Sequence, residues 1–165
     1  MKSIFWKHCG SLFASNTSCT ENSNFFSSSY PKLIAVSKKQ KENKIELAIK
    51  SGQKHFGENR VQEAEQRWKK RIETYKDIEL RLIGPLQTNK VKQALNLFDI
   101  IETIDREKLA KEIAKHLSDE TKTKSFYVQV NTGSEDQKSG LIPSEVDAFI
   151  EYCVRDLKLP IIGLM

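Results

Sequence analysis

From residue 31 onward the chain alternates short β-branched or apolar runs with longer segments whose apolar residues recur every three or four positions. That alternation predicts β/α units joined into a parallel sheet. The first unit has a strand over 33–37 and a helix over 40–51. A short strand over 54–56 leads into a charged helix over 59–75, with Val61, Ala64 and Trp68 on one face. A third strand, 81–83, is closed by Gly84-Pro85, after which Thr88 or Asn89 can cap a helix through Val91, Ala94 and Leu95. The fourth strand covers 100–104, and Asp105 then caps a helix that places Leu109, Ile113 and Leu117 at i, i+4 and i+8. Residues 125–131 are the clearest strand, apolar or aromatic at Phe126, Val128 and Val130. Pro143 falls in the first turn of the next helix, where its missing N–H costs nothing, and Val146, Phe149, Ile150 and Cys153 face inward. Pro160 introduces a sixth strand over 161–165.

A (β/α)₈ barrel of the TIM type needs eight such units and typically about 250 residues. About six units in 165 residues therefore read as a barrel whose last two strands are missing. An open doubly wound sheet can also end on a strand, so spacing alone leaves both α/β architectures open.

The first thirty residues differ from the rest. They hold eight Ser and three charged side chains, Lys2, Lys7 and Glu21, whereas about a third of the later positions are charged. A boundary near Pro31 is expected, with 1–30 a Ser-rich disordered leader and 31–165 the incomplete barrel. A transit peptide is the competing reading, but this segment has no Arg, and Lys7-His8 interrupts the one apolar stretch that could serve secretion.

Composition narrows the function classes. No run of 18 apolar residues could form a membrane helix, so a soluble protein without a membrane partner is expected. The 27 Lys+Arg and 22 Asp+Glu give a net +5, but the signs are interleaved, as in Glu107-Lys108 and Lys111-Glu112. This predicts a mixed solvated surface rather than a nucleic-acid face. Cys9, Cys19 and Cys153 form no CxxC pair, and His8, His55 and His116 form no HExxH. A disulfide framework or zinc site is not expected, and a reducing, cytoplasmic compartment is.

Candidate chemistry collects in loops at the C-terminal ends of strands, where parallel α/β architectures place their sites. Three such loops are polar: Ser37-Lys38-Lys39-Gln40, Phe56-Gly57-Glu58-Asn59-Arg60 and Gly84-Pro85-Leu86-Gln87-Thr88-Asn89-Lys90. Period-two alternation puts Lys38 on the strand face of Ile34 and Val36, toward the barrel interior, and Lys39 on the other. A lysine at an apolar rim loses hydration, which favours its neutral amine and makes it a nucleophile toward an aldehyde. The competing reading is that Lys38 opens a solvated basic run with Lys39, Lys41 and Lys44. Asn59 can hydrogen-bond a ligand at the same mouth or cap the following helix. The loop Gly133-Ser134-Glu135-Asp136-Gln137-Lys138-Ser139-Gly140 lacks the GxxxxGK[ST] spacing and carries two acids, so it reads as an ordinary connection.

Several words of the sequence are distinctive together: Leu33-Ile34-Ala35-Val36-Ser37-Lys38, Phe56-Gly57-Glu58-Asn59-Arg60-Val61-Gln62-Glu63, Ile83-Gly84-Pro85-Leu86-Gln87-Thr88-Asn89-Lys90-Val91-Lys92, Val130-Asn131, Lys138-Ser139-Gly140 and Gly163-Leu164-Met165. In this order, over about 32–165, the chain resembles the pyridoxal phosphate homeostasis proteins, single-domain barrels related to the N-terminal domain of alanine racemases. The resemblance implies a TIM-type barrel in which Lys38 holds pyridoxal 5′-phosphate as an internal aldimine. It places Asn59 near the cofactor ring and Met165 at the same mouth. It also implies a non-enzymatic carrier that keeps vitamin B6 in balance, with pyridoxal phosphate as its one indicated partner.

Three departures stand beside this. Residues 1–30 show no amphipathic helix of the kind with which such barrels begin, and Pro85 stands where many members have His. The family's phosphate-binding segments, expected around strands seven and eight, have no counterpart, which would leave two open sheet edges and a marginally stable chain. The alternatives are a racemase- or decarboxylase-like enzyme using the same cofactor, or a cofactor-free decayed fragment.

Overall fold

The computed structural model describes residues 31–133, 137 and 139–165; the leader 1–30 lies outside the described residues, as does part of the 133–140 loop. Six parallel strands, β1 (Ala35–Val36), β2 (His55–Glu58), β3 (Glu79–Leu82), β4 (Ile100–Ile104), β5 (Ser125–Val128) and β6 (Ile161–Leu164), pair in strict chain order. Between them run α1 (Glu42–Lys50), α2 (Val61–Thr74), α3 (Val91–Leu97), α4 (Glu107–His116) and α5 (Val146–Arg155). Chain-order pairing decides between the two architectures left open by spacing. A doubly wound sheet reverses its strand order at a switch point, whereas a β/α barrel adds each strand beside the last. The sheet is part of a TIM-type barrel, with β1 and β6 at its two edges.

The core lies between the sheet and its helices. Phe56, Leu80, Leu82, Ile101 and Phe126 leave the strands on one face and meet Trp68, Ala94, Leu95, Leu109, Ile113 and Cys153 from the helices. The Phe56 and Trp68 rings are 4.7 Å apart between centroids, and both residues are buried. Burying one such side chain is worth roughly 1.5–3 kcal/mol, so this layer holds the helices on the sheet.

Several boundaries differ from those read in the pattern. β2 runs on through Gly57 and Glu58, because Glu58 is held inside by partners on α2. β3 starts at Glu79 and stops at Leu82, and β5 stops at Val128, with Val130 in an isolated bridge to Leu141. The expected caps are not formed. Thr88 and Asn89 lie in a 3₁₀ turn (Thr88–Lys90) ahead of α3. Arg106 rather than Asp105 is the N-cap of α4, and the Asp105 carboxylate accepts from the Arg106 guanidinium instead of from a helix amide. Pro143 does open the turn that runs into α5, where Val146, Phe149 and Cys153 are buried. Leu117 falls just past the end of α4 and packs against the core from there. None of the described helices is long and apolar enough to cross a membrane.

Candidate cofactor site

At the C-terminal ends of the strands, the loops after β2, β3 and β5 enclose a cavity of about 460 Å³ lined by Asn59, Ile83, Gly84, Pro85 and 129–133. Gly84 makes this convergence possible. A Cβ there would lie 2.2 Å from the Asn59 carbonyl oxygen, so only glycine lets the β3 loop rest on the β2 loop. Thr103 on β4 donates to the Gly84 carbonyl at 2.8 Å and fixes the loop from the other side.

Asn59 is half-buried and lines this cavity and a neighbouring one of about 670 Å³ that reaches Lys90 and Arg106. The helix-cap reading of Asn59 fails: α2 begins at Val61, its N-cap is Arg60, and no side chain caps it. The Asn59 Oδ1 is instead buried without a hydrogen-bond partner. A buried amide oxygen left unsatisfied is a costly arrangement that a ligand donor would relieve.

Lys38 stands in the turn after β1, at the sheet edge, and it is exposed. This corrects the expectation of a lysine desolvated by an apolar rim. The alternation holds through the strand: Ile34 packs near Gly57 and Ile83 on one face, while Ala35 packs on the core and Ser37 bonds Glu58 on the other. The chain then turns, with Gln40 N–H donating to the Ser37 carbonyl and Lys39 at φ 57°, so strand alternation no longer governs residue 38. Among the described residues no side-chain hydrogen bond or ion pair engages Lys38, which leaves its amine available.

The residue before it is tightly held. Ser37 N–H donates to Gly57 at 3.0 Å, its hydroxyl donates to Glu58 Oε1 at 2.7 Å, and its carbonyl accepts from Arg67 at 3.0 Å. Glu58 is fully buried and accepts from Ser37, from Arg67 at 2.8 Å and from the Trp68 indole at 3.1 Å, all on Oε1. Arg67 also reaches Glu42 at the start of α1, 3.2 Å away. Burial acts against both of these charges, yet hydrogen bonds from Arg71 and Arg67 hold the Glu42 carboxyl below its ordinary value, and Glu58 and Glu42 raise the Arg67 guanidinium above its own.

A second polar cluster lines the sheet face turned away from the helices. His55 Nδ1 is 3.0 Å from Glu79 Oε1, and Arg81 bridges Glu79 at 2.6 Å and Glu102 at 3.0 Å. Burial opposes ionisation of Glu79, but Arg81 and His55 outweigh it and keep that carboxyl below the usual range.

Met165, the third expected site residue, follows β6 and is partly buried. Its backbone N–H donates to Val128 and its carbonyl accepts from Val130, both at 2.9 Å. Lys38 and Met165 thus stand at opposite edges of the sheet, and neither lines the two cavities that Asn59 lines.

The sequence family described as alanine racemase, N-terminal domain, matches residues 19–165. The chain belongs to that family. Among its relatives it is similar to the pyridoxal phosphate homeostasis protein of Vibrio alginolyticus, 39% identical over 135 residues, which cover 81% of this chain and 58% of the relative. It is similar to the protein of the same name from Aquifex aeolicus, 35% identical over 136 residues, covering 81% and 58%. The chain therefore spans somewhat over half the length of these relatives. Among solved structures, PipY of Synechococcus elongatus without pyridoxal phosphate superposes with a TM-score of 0.72 at 32% identity, covering 80% of this chain and 61% of PipY. PipY with pyridoxal phosphate bound gives 0.67 at 30% identity, covering 80% and 60%. An alanine racemase of Clostridium difficile shares the fold, with a TM-score of 0.61 at 16% identity, covering 79% and 34%.

Within this alanine racemase N-terminal-domain family member, residue-level reading missed Glu58, Arg67 and the His55–Glu79–Arg81–Glu102 chain. Glu58 lies inside the Phe56-to-Glu63 word that carried the resemblance, but no pattern in the sequence pairs it with Arg67 nine positions later on another element.

Two groups have chemistry that suits pyridoxal phosphate, though they line no common cavity: an unengaged primary amine at Lys38 and an orphaned amide oxygen at Asn59. The first suits the cofactor's aldehyde, the second its ring hydroxyl or a bridging water.

Proposed function

We propose that this chain carries the pyridoxal phosphate-binding part of a vitamin B6 homeostasis protein, with Lys38 as the residue that holds the cofactor and Asn59 and Met165 beside it. The likeness to PipY with pyridoxal phosphate bound, across four-fifths of the chain, is the observation that carries the reading. When bound, pyridoxal phosphate supplies an aldehyde that condenses with a lysine amine, one C=N bond forming and one water leaving. Lys38 is exposed in the turn after β1, and no described side chain engages its amine, so the amine is open to such a group. Asn59 orients the partner group through the Oδ1 that lacks a protein donor. Gly84, by bringing the β3 loop onto the Asn59 backbone, fixes where that amide sits.

The reading is of a carrier rather than an enzyme, acting in the cytoplasm. What supports that reading is the name of the similar proteins from Vibrio alginolyticus and Aquifex aeolicus, pyridoxal phosphate homeostasis protein. Titrating the purified chain with pyridoxal phosphate tests it. An absorbance change should saturate in the unaltered chain and vanish in Lys38→Ala, and alanine should not be turned over. Equal spectra in the two proteins would overturn the role of Lys38, and turnover of alanine would favour the racemase reading.

A further inference from the structure

The turn that bears Lys38 is crowded with amines: Lys38, Lys39 and Lys41 lie within four positions, and Lys44 follows. All four are exposed, so exposure does not choose among them. β1 is two residues long, and its ladder partner among the described residues is β2. What holds it from below is Arg67, whose side chain is only 15% exposed. Its Nη1 donates to the Ser37 carbonyl and to Glu58 Oε1, and its Nε donates to Glu42 Oε1. Ser37 is the residue before Lys38, and Glu42 opens the helix after the turn. One planar guanidinium therefore spans both ends of a segment whose other side-chain ties to the sheet, among the described residues, are those of the Ser37 hydroxyl to Glu58 and to the Gly57 carbonyl. A guanidinium can do this because its donors lie in a fixed fork; an ammonium of the same charge has no such preset directions.

We propose that Arg67, seated on Glu58, is a positioning residue for Lys38: it brackets the 37–42 turn and thereby selects Lys38 over its neighbouring lysines as the amine offered at the mouth. This rests on the cofactor reading above for its chemical consequence, but the bracket itself is a property of the fold. Arg71 provides the contrast. It lies one helical turn further along α2 and binds Glu42 and Glu46, so it also ties α1 to α2, but it makes no bond to Ser37.

The test uses the full chain as Arg67→Met, Arg67→Lys and Arg71→Met. Amide exchange is followed at Gln40, whose N–H bonds the Ser37 carbonyl, and pyridoxal phosphate is trapped with borohydride and mapped by peptide. In Arg67→Met the Gln40 amide should exchange about tenfold faster, as expected when one supporting hydrogen bond is lost, and the trapped adduct should spread from Lys38 to Lys39 and Lys41. Arg67→Lys should recover part of both effects, and Arg71→Met should show neither. If Arg67→Met leaves the buried Glu58 too costly for folding, Arg67→Met/Glu58→Gln removes that charge and is read in the same way. Unchanged Gln40 exchange in the Arg67 variants, or the same change in Arg71→Met, overturns the proposal. Should the unaltered chain carry no adduct on Lys38, the cofactor reading falls, while the Gln40 amide still decides whether the bracket exists.

Discussion

On the helix-covered face of the sheet, Phe56, Leu80, Leu82, Ile101 and Phe126 form a continuous apolar layer, whereas the opposite face carries His55, Glu79, Arg81 and Glu102 on the same strands. Successive residues along one strand thus contribute to a layer held by burial and to a layer held by charge pairing. The lesson is one of tolerance. Apolar packing is non-directional, and each member fails by leaving a cavity. The charged layer is directional, so it fails when one partner is left alone and survives when a pair is replaced together.

The largest effect should come from the apolar side. Trp68→Ala removes a fully buried indole that packs on Phe56 and donates to Glu58, and urea unfolding should report a loss of about 4 kcal/mol. A loss under about 1 kcal/mol would show that the layer repacks freely.

On the charged face, Arg81→Met removes the guanidinium that bridges Glu79 and Glu102 and should cost about 3 kcal/mol. The double variant Arg81→Met/Glu102→Met should be more stable than Arg81→Met alone. A double variant that simply adds the two losses would place this face in the same class as the core.

Acid is a gentler probe of the same layer. Glu79 in that layer, and Glu42 outside it on α1, are both held below the ordinary 4.5, so their contribution is complete above that value and is lost as pH falls below it. Stability measured from pH 6 down to 3 should fall, and Glu79→Gln should flatten part of the slope. A slope unchanged by that substitution would remove Glu79 from the account.

The smallest expected effect is at Cys153, in the apolar layer, where burial pushes the thiol up to about 11. Iodoacetamide at pH 8 should leave the folded chain unlabelled and react once urea unfolds it. Labelling of the folded protein would mean that α5 opens readily from the core.

The same contrast explains what could be read in the sequence. The apolar layer was legible because period-two and period-3.6 patterns report burial directly. The parallel β/α order and nearly every residue expected to face inward stand in the structure. The charged layer was not, because Glu79, Arg81 and Glu102 look like solvated charges until register brings β3 beside β4. Gly57-Glu58 resembled a loop for the same reason, its buried partner Arg67 lying on another element. Lys38 shows the opposite error, alternation carried one residue beyond a strand that had already begun to turn at Ser37. Asn59 was open between cap and mouth, and what separates them is the start of α2 at Val61 together with an oxygen that no donor reaches.

One measurement bears most directly on the account: borohydride trapping of the full chain with one equivalent of pyridoxal phosphate, followed by peptide mapping of every lysine. A single dominant adduct on Lys38, with the neighbouring Lys39, Lys41 and Lys44 nearly unmodified, is the predicted result. Adducts spread evenly over the exposed lysines, or none at all, would contradict it.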